Sequence, residues 1–253
     1  MNSIAIITGA SAGIGRATAM LLARNDFDVI ITGRRAENLE SLEEEIRSKT
    51  KADVLSLTFD IRDHGAVKSA CASLTGKWEK VDLLVNNAGL AAGLSRIHEG
   101  SVDDWEQMID TNIKGLLYIT RLISPGMVER QKGHIINLGS IAGKEAYENG
   151  NVYNATKFAV DGLTRAMRID LVDFGIKVTS IDPGAAETEF ALVRFKGDSE
   201  KADKVYEGFT PLYAEDIAEA ILFAVTRPPH VNINDMLIMP TSQACSYKLV
   251  KKK

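Results

Sequence analysis

Tyr153 and Lys157 are the residues whose types and spacing most directly suggest chemistry. They lie four positions apart in a segment that opens a predicted helix, so both side chains are expected on one face. A free phenol has a pKa of about 10 and is a poor base at neutral pH. A nearby ammonium group stabilises the phenolate and is expected to lower the pKa of Tyr153. Such a pair can move a proton to or from a substrate oxygen, although an isolated pair is more often an exposed tyrosine beside a solvated lysine.

A glycine-rich loop at residues 8–15 reads Thr-Gly-Ala-Ser-Ala-Gly-Ile-Gly and joins the first predicted strand to the first predicted helix. Small residues there let backbone amides approach a pyrophosphate, and the helix N-terminus adds a favourable partial charge. The alternative is a tight turn with no ligand. The dinucleotide contacts are expected from Gly9, Ser11, Ala12, Gly13, Ile14 and Gly15.

Two arginines, Arg34 and Arg35, follow the second predicted strand. An NAD-specific site would place a carboxylate here for the ribose 2′-hydroxyl. Cations at the start of a helix are disfavoured, and a bound phosphate would remove that conflict. The pair therefore predicts NADP rather than NAD. The alternative is a solvated pair neutralised by three acids of the next helix, Glu40, Glu43 and Glu44.

Asn112 lies on the apolar stripe of a long predicted helix, among Trp105, Met108, Ile109, Ile113, Leu116 and Leu117. A buried amide needs hydrogen-bond partners. On its own the residue is better explained as satisfied by local backbone. The functional alternative is that it holds a water molecule or a backbone kink near the site.

The elements that must position these residues alternate along the chain. Apolar runs at 4–8, 28–32, 54–59, 81–86, 134–138, 176–181 and 236–239 read as strands, and helical patterns at 14–24, 37–49, 66–74, 102–130, 152–174 and 215–226 separate them. This alternation predicts one Rossmann-type, doubly wound parallel sheet of about seven strands with helices on both faces. We expect a single domain over 1–253, with the unpatterned stretch around 183–212 acting as a substrate lid.

The composition of the chain limits the classes of partner that it is expected to bind. The chain has 253 residues, 30 Lys plus Arg against 34 Asp plus Glu, and a net charge of -4. A mildly acidic chain has no bulk attraction for nucleic acid or an anionic membrane. Two distant cysteines and scattered histidines make no metal-ligand spacing. No signal peptide is recognised before the first strand, so we expect a cytoplasmic protein.

In combination, the motifs resemble those of the short-chain dehydrogenase/reductase family along nearly the whole chain. They occur in the family's order as Thr8-Gly9-x-x-x-Gly13-x-Gly15, Asn86-Asn87-Ala88-Gly89, Asn112, Ser140, Tyr153-x-x-x-Lys157 and Pro183-Gly184 with Thr188. The resemblance implies a catalytic tetrad of Asn112, Ser140, Tyr153 and Lys157. It also implies adenine contacts from Asp60 and Ile61, a supporting turn at Asn87, Ala88 and Gly89, and contacts near the nicotinamide from Pro183, Gly184 and Thr188.

A narrower resemblance links the chain to NADP-dependent 3-hydroxy acid dehydrogenases. The segments that carry it are 32–35, 150–153, 193–198 and 229–234. It implies hydride transfer between NADP and the β-carbon of a short hydroxy acid such as serine, allo-threonine or 3-hydroxypropionate, or its oxo acid. A reductase of other carbonyl or carrier-bound 3-ketoacyl substrates is the alternative, and a catalytically silent NADP-binding regulator is a third possibility.

The sequence also indicates how the substrate is bound and how the protein assembles. Ser140, Tyr153 and Arg194 are expected to bind the substrate, because a buried carboxylate needs a cation and a guanidinium matches it with two hydrogen bonds. The alternative is that Arg194 only pins the lid to Asp198, Glu200 or a neighbouring subunit. The helix at 152–174 is apolar over a wide arc, and in the family such helices pair across a two-fold axis, so a homotetramer is expected.

Overall fold

A parallel sheet forms the centre of the structure, a computed structural model that describes residues 2–252. Its strands are β1 (Ser3–Ile7), β2 (Phe27–Gly33), β3 (Val54–Thr58), β4 (Val81–Asn86), β5 (Gly133–Leu138), β6 (Ile176–Pro183) and β7 (Asp235–Ile238). They lie in the order β3-β2-β1-β4-β5-β6-β7, and every neighbouring pair is parallel. The doubly wound parallel sheet expected from the sequence is confirmed.

Helices cover both faces of the sheet because its strands are apolar on both sides. They are α1 (Gly13–Ala23), α2 (Ala36–Lys49), α3 (His64–Ala72), α4 (Val102–Ile109), α5 (Leu116–Arg130), α6 (Asn151–Leu171), α7 (Phe190–Arg194), α8 (Ser199–Tyr206) and α9 (Ala214–Val225). Alternate residues of β1 show the two layers. Ala5 and Ile7 pack with residues of α1, α2 and α9, whereas Ile4 and Ile6 pack with residues of α3 and α5.

The strand order reverses between β1 and β4, and that reversal opens a crevice at the carboxyl ends of the strands. A buried amide network fixes the elements beside it. Asn86 Nδ2 donates to Thr120 Oγ1 at 2.9 Å and to Asn137 Oδ1 at 2.8 Å. Asn137 Nδ2 donates in turn to Thr164 Oγ1 at 2.9 Å. These bonds join β4 and β5 to α5 and α6, so the ends of both strands are held in register with the helices that pack on them.

The helix expected over 102–130 is interrupted. A π-helical segment, Asp110–Gly115, separates α4 from α5. The wider turn adds a residue to the helix and is frequently found at functional sites. The apolar pattern identifies the long helix correctly, but periodicity does not detect one wider turn.

The expected lid, residues 183–212, contains two short helices, α7 and α8, although its sequence shows no clear periodicity. Helix α7 is too short to show a period, and α8 buries few residues. The C-terminal end of α7 is attached to the rest of the protein. Gly93 N–H donates to Arg194 O at 3.0 Å, and Lys196 Nζ lies 2.9 Å from Asp104 Oδ1.

Among the described residues, no helix has the length and apolar character that crossing a bilayer requires.

Candidate active site

A cavity of about 590 Å³ opens at the carboxyl edge of the sheet, between the loops that follow β1, β4, β5 and β6 and the lid. With two exceptions, all the site residues expected from the sequence line it. The exceptions are Gly15 and Asn112, which lie behind its wall. The single sheet edge therefore collects residues that are far apart in the sequence, as the doubly wound topology requires.

The glycine loop leaves an uncapped helix end facing the cavity. Helix α1 begins at Gly13, and the side chain of its N-cap residue, Ala12, makes no capping hydrogen bond. Gly9 has a φ of 66°, and a Cβ there would lie 2.9 Å from the Cα of Ala88. Free backbone amides, a bare backbone and the helix dipole together fit the diphosphate of a dinucleotide.

Gly15 has a packing role rather than a lining role. A Cβ at this position would lie 2.4 Å from both Asn87 Nδ2 and Gly9 O. The Asn87 amide fills that space and donates to Thr8 O at 2.8 Å and to Gly9 O at 3.1 Å. The loops after β1 and β4 are thereby locked together, so Gly15 permits the geometry that the cofactor residues need.

Arg34 and Arg35 lie at the far end of the cavity, with side chains 54% and 48% exposed. Arg35 Nη2 lies 2.8 Å from Glu189 Oε2, and Arg34 Nη1 lies 3.9 Å from Asp60 Oδ2. The partners are therefore not the three glutamates of α2 considered above. Arg35 Nη2 also donates to Ser11 Oγ at 3.3 Å, which places this guanidinium beside the glycine loop. Two half-exposed guanidinium groups at this position fit a phosphate on the adenosine ribose.

Asp60 and Ile61 lie beside these arginines and line the same end of the cavity. The Asp60 carboxylate is already bound, because Arg62 Nη2 donates to its Oδ2 at 2.6 Å. Hydrogen bonds from Arg62 hold the pKa of Asp60 below its usual range. Asp60 is therefore ionised and held in place by Arg62, and it forms part of the wall of the expected adenine subsite.

At the other end of the cavity, Tyr153 and Lys157 lie in the first turns of α6. Lys157 Nζ is 5.9 Å from the centre of the Tyr153 ring and donates to Leu138 O at 2.8 Å. Burial lowers the pKa of Lys157 to about 8, and the charge of Asp182 opposes that fall. Both side chains are buried, so the solvated tyrosine and lysine of the alternative explanation are excluded.

The expectation that the pKa of Tyr153 is lowered is wrong for this structure. Burial raises the pKa of Tyr153 well above its ordinary value, because the phenolate loses its hydration. Tyr147 adds to the rise, while the charge of Arg194 and a hydrogen bond with Ser140 oppose it. The site therefore holds Tyr153 as a neutral phenol, which is a proton donor.

Ser140 follows β5 and lines the cavity together with Tyr153. Its Oγ accepts from Ala142 N–H at 3.1 Å and lies 3.4 Å from Pro183 O, to which it can donate. The turn is buried and well bonded, so the hydroxyl is held at the cavity wall, close to the phenol. A substrate oxygen lying between the two groups could accept a hydrogen bond from each.

Asn112 is hydrogen-bonded by groups distant in the sequence rather than by local backbone, so the simpler explanation offered above is wrong. Its Oδ1 accepts from Leu90 N–H at 2.9 Å, and its Nδ2 donates to Leu90 O at 2.8 Å and to Thr156 Oγ1 at 3.0 Å. The amide ties the π-helical segment to the loop after β4 and to α6. A role for a water molecule at Asn112 stays a prediction.

Arg194 lies over the catalytic end of the cavity. Its Cζ is 5.0 Å from the centre of the Tyr153 ring and 5.2 Å from that of Phe190. Nη2 donates to Tyr147 Oη at 2.5 Å, and the buried Nε has no hydrogen-bond partner within the described residues.

Pinning of the lid by Arg194 to either acid of α8 is not observed. Asp198 pairs with Lys201 at 2.9 Å and Glu200 pairs with Lys204 at 2.6 Å. Arg194 makes no ion pair with any carboxylate of residues 2–252, although it is partly buried. The guanidinium is therefore a cation without a counter-charge in the cavity wall.

Two further residues of the site carry no recognisable signal in the sequence. Tyr147, which orients Arg194, lies in a loop, and Glu189, which holds Arg35, lies at the start of α7. Both are brought to the cavity by tertiary packing alone. The C-terminal segment also contributes to the wall, through Gln243, Ser246 and Leu249. Within the described part of the chain, no group of three or more His, Cys, Asp or Glu side chains could hold a metal ion.

A family model and individual relatives both match this chain to dehydrogenases. The family model described as short chain dehydrogenase matches residues 3–198. The NADP-dependent 3-hydroxy acid dehydrogenase YdfG of Salmonella typhi is 50% identical over 242 residues, covering 95% of this chain and 96% of that protein. The NADP-dependent 3-hydroxy acid dehydrogenase of Schizosaccharomyces pombe is 41% identical over 249 residues, covering 98% and 96%.

Solved structures agree with this. The closed form of serine dehydrogenase complexed with NADP+ superposes with a TM-score of 0.91 at 44% identity, covering 99% of this chain and all of the other. Serine dehydrogenase from Escherichia coli has a TM-score of 0.83 at 41% identity, covering 95% of this chain and 99% of the other. The recognition made from the motifs is confirmed.

Glu189→Gln should strengthen binding of a ligand that carries a 2′-phosphate, because it frees the Arg35 guanidinium. Exposed ion pairs contribute about 0.2–1 kcal/mol, so NADPH affinity should rise up to about fivefold and NADH affinity should not change. Fluorescence titration of both nucleotides measures this. Glu187→Gln is the matched control, because it removes a charge from the same segment and leaves the Arg35 contact in place. An unchanged or weaker NADPH affinity in Glu189→Gln would show that Glu189 does not compete for Arg35.

Proposed function

The chain belongs to the short-chain dehydrogenase family, and from this premise we propose how its own residues perform the reaction. The protein is an NADP-dependent oxidoreductase of hydroxy acids. The proposed reaction is reversible hydride transfer at the β-carbon of a short 3-hydroxy acid, such as serine, allo-threonine or 3-hydroxypropionate. The residues proposed to carry it out are Asn112, Ser140, Tyr153 and Lys157.

Tyr153 is the proposed proton carrier. Bound NADP supplies hydride chemistry through its nicotinamide ring. When an oxo acid is reduced, the neutral phenol donates its proton to the substrate oxygen. In oxidation the phenolate takes the hydroxyl proton. Lys157, charged below a pH of about 8, stabilises the phenolate that reduction leaves behind.

Ser140 and Asn112 have supporting parts in this proposal. The Ser140 hydroxyl donates a hydrogen bond to the substrate oxygen and stabilises the charge that develops on it. Asn112 ties the π-helical segment to α6 through Thr156, close to Lys157. A water molecule held near Asn112 would then link the Lys157 ammonium to solvent.

We propose that Arg194 binds the carboxylate of the substrate. Its buried Nε has no partner among the described residues, and its guanidinium lies 5.0 Å over the Tyr153 ring. A buried cation without a counter-charge is costly, and a substrate carboxylate would supply one. A carboxylate bound by Arg194 would therefore lie beside the Tyr153 ring. This observation favours a small hydroxy acid over a neutral or carrier-bound carbonyl substrate.

The proposed cofactor subsites follow from the cavity lining. The diphosphate would lie on the glycine loop and the 2′-phosphate on Arg34 and Arg35, with the adenine beside Asp60 and Ile61. The turn after β4, at Asn87, Ala88 and Gly89, would support the ribose of the nicotinamide half together with Tyr153 and Lys157. The nicotinamide itself would contact Pro183, Gly184 and Thr188.

A homotetramer in the cytoplasm is the proposed state of the protein. Helix α6 and the turn that follows it expose three large apolar side chains, with exposed fractions of 44% for Phe158, 75% for Ile169 and 63% for Val172. A second apolar region lies at the β7 edge of the sheet, where Phe223 of α9 and Leu237 of β7 are about half exposed. Two separate apolar regions suit two different two-fold contacts, which together build a tetramer.

Replacing both Arg34 and Arg35 with Ala should remove most of the preference for NADP over NAD. Truncating one partner of a desolvated charge pair costs about 2–5 kcal/mol, so kcat/KM for NADP should fall at least about thirtyfold while the value for NAD changes little. Steady-state kinetics with both cofactors measure it. Arg47→Ala, which removes an arginine of α2 outside the cavity, is the control. Equal use of NAD and NADP by the unmodified protein would contradict the role given to the arginines.

Tyr153→Phe should lower turnover by about 10²-fold or more, because it keeps the ring and removes the atom that carries the proton. NADPH binding, followed by fluorescence, should stay nearly intact. Tyr118→Phe, which alters a tyrosine outside the cavity, should leave turnover unchanged. Near-normal turnover of Tyr153→Phe would remove this residue from the mechanism.

Arg194→Leu should raise KM for malonic semialdehyde by about thirtyfold, the loss expected when about 2 kcal/mol of charge-pair binding is removed. Turnover of a neutral keto ester should change little. NADPH oxidation with both substrates measures this split. Lys196→Met is the matched control, because it breaks the Asp104 contact of the lid outside the cavity. If Arg194→Leu weakens activity on charged and neutral substrates alike, Arg194 holds the lid and does not bind the carboxylate.

Light scattering at micromolar concentration should give the mass of a tetramer. Ile169→Asp should produce smaller species, because a charge on this apolar face cannot be buried without a partner. Val250→Asp, at an exposed apolar position outside both regions, should leave the tetramer intact. A stable monomer of the unmodified protein would refute the proposed assembly.

A further inference from the structure

Asp182 is a buried acid that the proposed reaction does not use. It lies near the end of β6, only 1% exposed, beside the cavity but outside its lining. A buried carboxylate is costly unless it is paired and hydrogen-bonded. Its partners therefore indicate why it is there.

This part of β6 contacts both the backbone N–H and the side-chain hydroxyl of Ser140. Asp182 Oδ1 accepts from the Ser140 backbone N–H at 3.2 Å, and the Ser140 hydroxyl lies 3.4 Å from the carbonyl oxygen of Pro183, the next residue. Oδ1 also accepts from Ser180 Oγ at 2.9 Å. A Cβ on Gly139 would lie 1.8 Å from Oδ1, so only glycine before Ser140 admits the carboxylate. Gly139 N–H in turn donates to Ile181 O at 2.8 Å.

Lys144 supplies the counter-charge. Its Nζ lies 3.3 Å from Asp182 Oδ2 and 3.2 Å from Asp235 Oδ1 of β7, and it also contacts Asp161 of α6. Burial raises the pKa of Asp182, the charge of Asp235 raises it further, and Lys144 lowers it. On the side of α6 the charged groups are Asp161 and Lys157, and the charge of Asp182 opposes the fall in the Lys157 pKa that burial causes.

We propose that Asp182 is a positioning residue that fixes Ser140 for its contact with the substrate oxygen, and that Lys144 keeps the Asp182 carboxylate ionised in this buried place. The inference rests on the proposed function, because the contact between Ser140 and substrate is part of it. Asp182 touches neither substrate nor cofactor and acts through Ser140.

A double-mutant cycle tests the proposal. Asp182→Ala should lower kcat at least about tenfold, since small displacements of a catalytic group are costly, while the NADPH dissociation constant stays within about twofold of wild type. In a Ser140→Ala background the same change should cause little further loss, because residues that act as a unit are not additive. Ser180→Ala, which removes the other hydrogen bond to Oδ1, is the matched control and should retain kcat.

Two outcomes of the cycle would overturn the proposal. One is an Asp182→Ala variant with normal kcat. The other is a loss that multiplies in full with that of Ser140→Ala, which would place Asp182 in another step. If Ser140→Ala itself has normal activity, the proposed tetrad fails, and that result is distinct from both.

Lys144→Met provides a second test that does not require Asp182→Ala to fold. Without Lys144 the pKa of Asp182 rises, so the carboxylate is protonated at a higher pH and the acid limb of the kcat profile should move to higher pH. Asp161→Asn, which removes another partner of Lys144 and does not touch Ser140, should leave that limb in place. An acid limb that does not move, or a loss of kcat by the same factor at every pH, would show that the pair has only a structural role.

Discussion

The burial of ionisable side chains at one edge of the sheet is the constraint on which the rest of the site depends. Lys157 and Asp182 are both less than a tenth exposed, and each would be unstable there without fixed partners. Parallel strands provide those partners, because their carboxyl ends present backbone groups at the same level. Leu138 O at the end of β5 accepts from the Lys157 ammonium, and the backbone N–H of Ser140 donates to Asp182. The fold and the candidate site therefore depend on each other, since backbone groups after β5 are hydrogen-bonded by Lys157 and Asp182.

Sequence patterns correctly predicted those features of the site that depend only on local geometry. The spacing of Tyr153 and Lys157 on α6 and the loop that leads into α1 are set by a few consecutive residues, so sequence identified both. The environment of Tyr153 is set by side chains from the lid and neighbouring loops. Its pKa was therefore expected to be lowered, whereas burial raises it. Glu189 shows the same limit, since only the folded lid brings it to Arg35.

The lid joins the two ends of the cavity through one short helix. Glu189, which precedes α7, pairs with Arg35 at the end expected to bind the 2′-phosphate. Arg194, the last residue of α7, lies over Tyr153 at the reacting end. Five residues of helix connect the two contacts. Lys196 and Asp104 form an anchor just beyond the helix, so the end of α7 that carries Arg194 is tied to α4.

The charge of the cavity differs from that of the chain. The chain carries a net charge of -4, yet the cavity wall holds the cations Arg34, Arg35, Lys157 and Arg194 against the acids Asp60 and Glu189. A low-dielectric cleft lined by an excess of one sign focuses its field on ligands of the opposite sign. An anionic cofactor and an anionic substrate would enter the same field at opposite ends, and each would neutralise cations that the protein leaves incompletely paired. The acidic outer surface then limits non-specific binding of other polyanions, so selectivity for small anions arises from where the positive charge is buried rather than from its total.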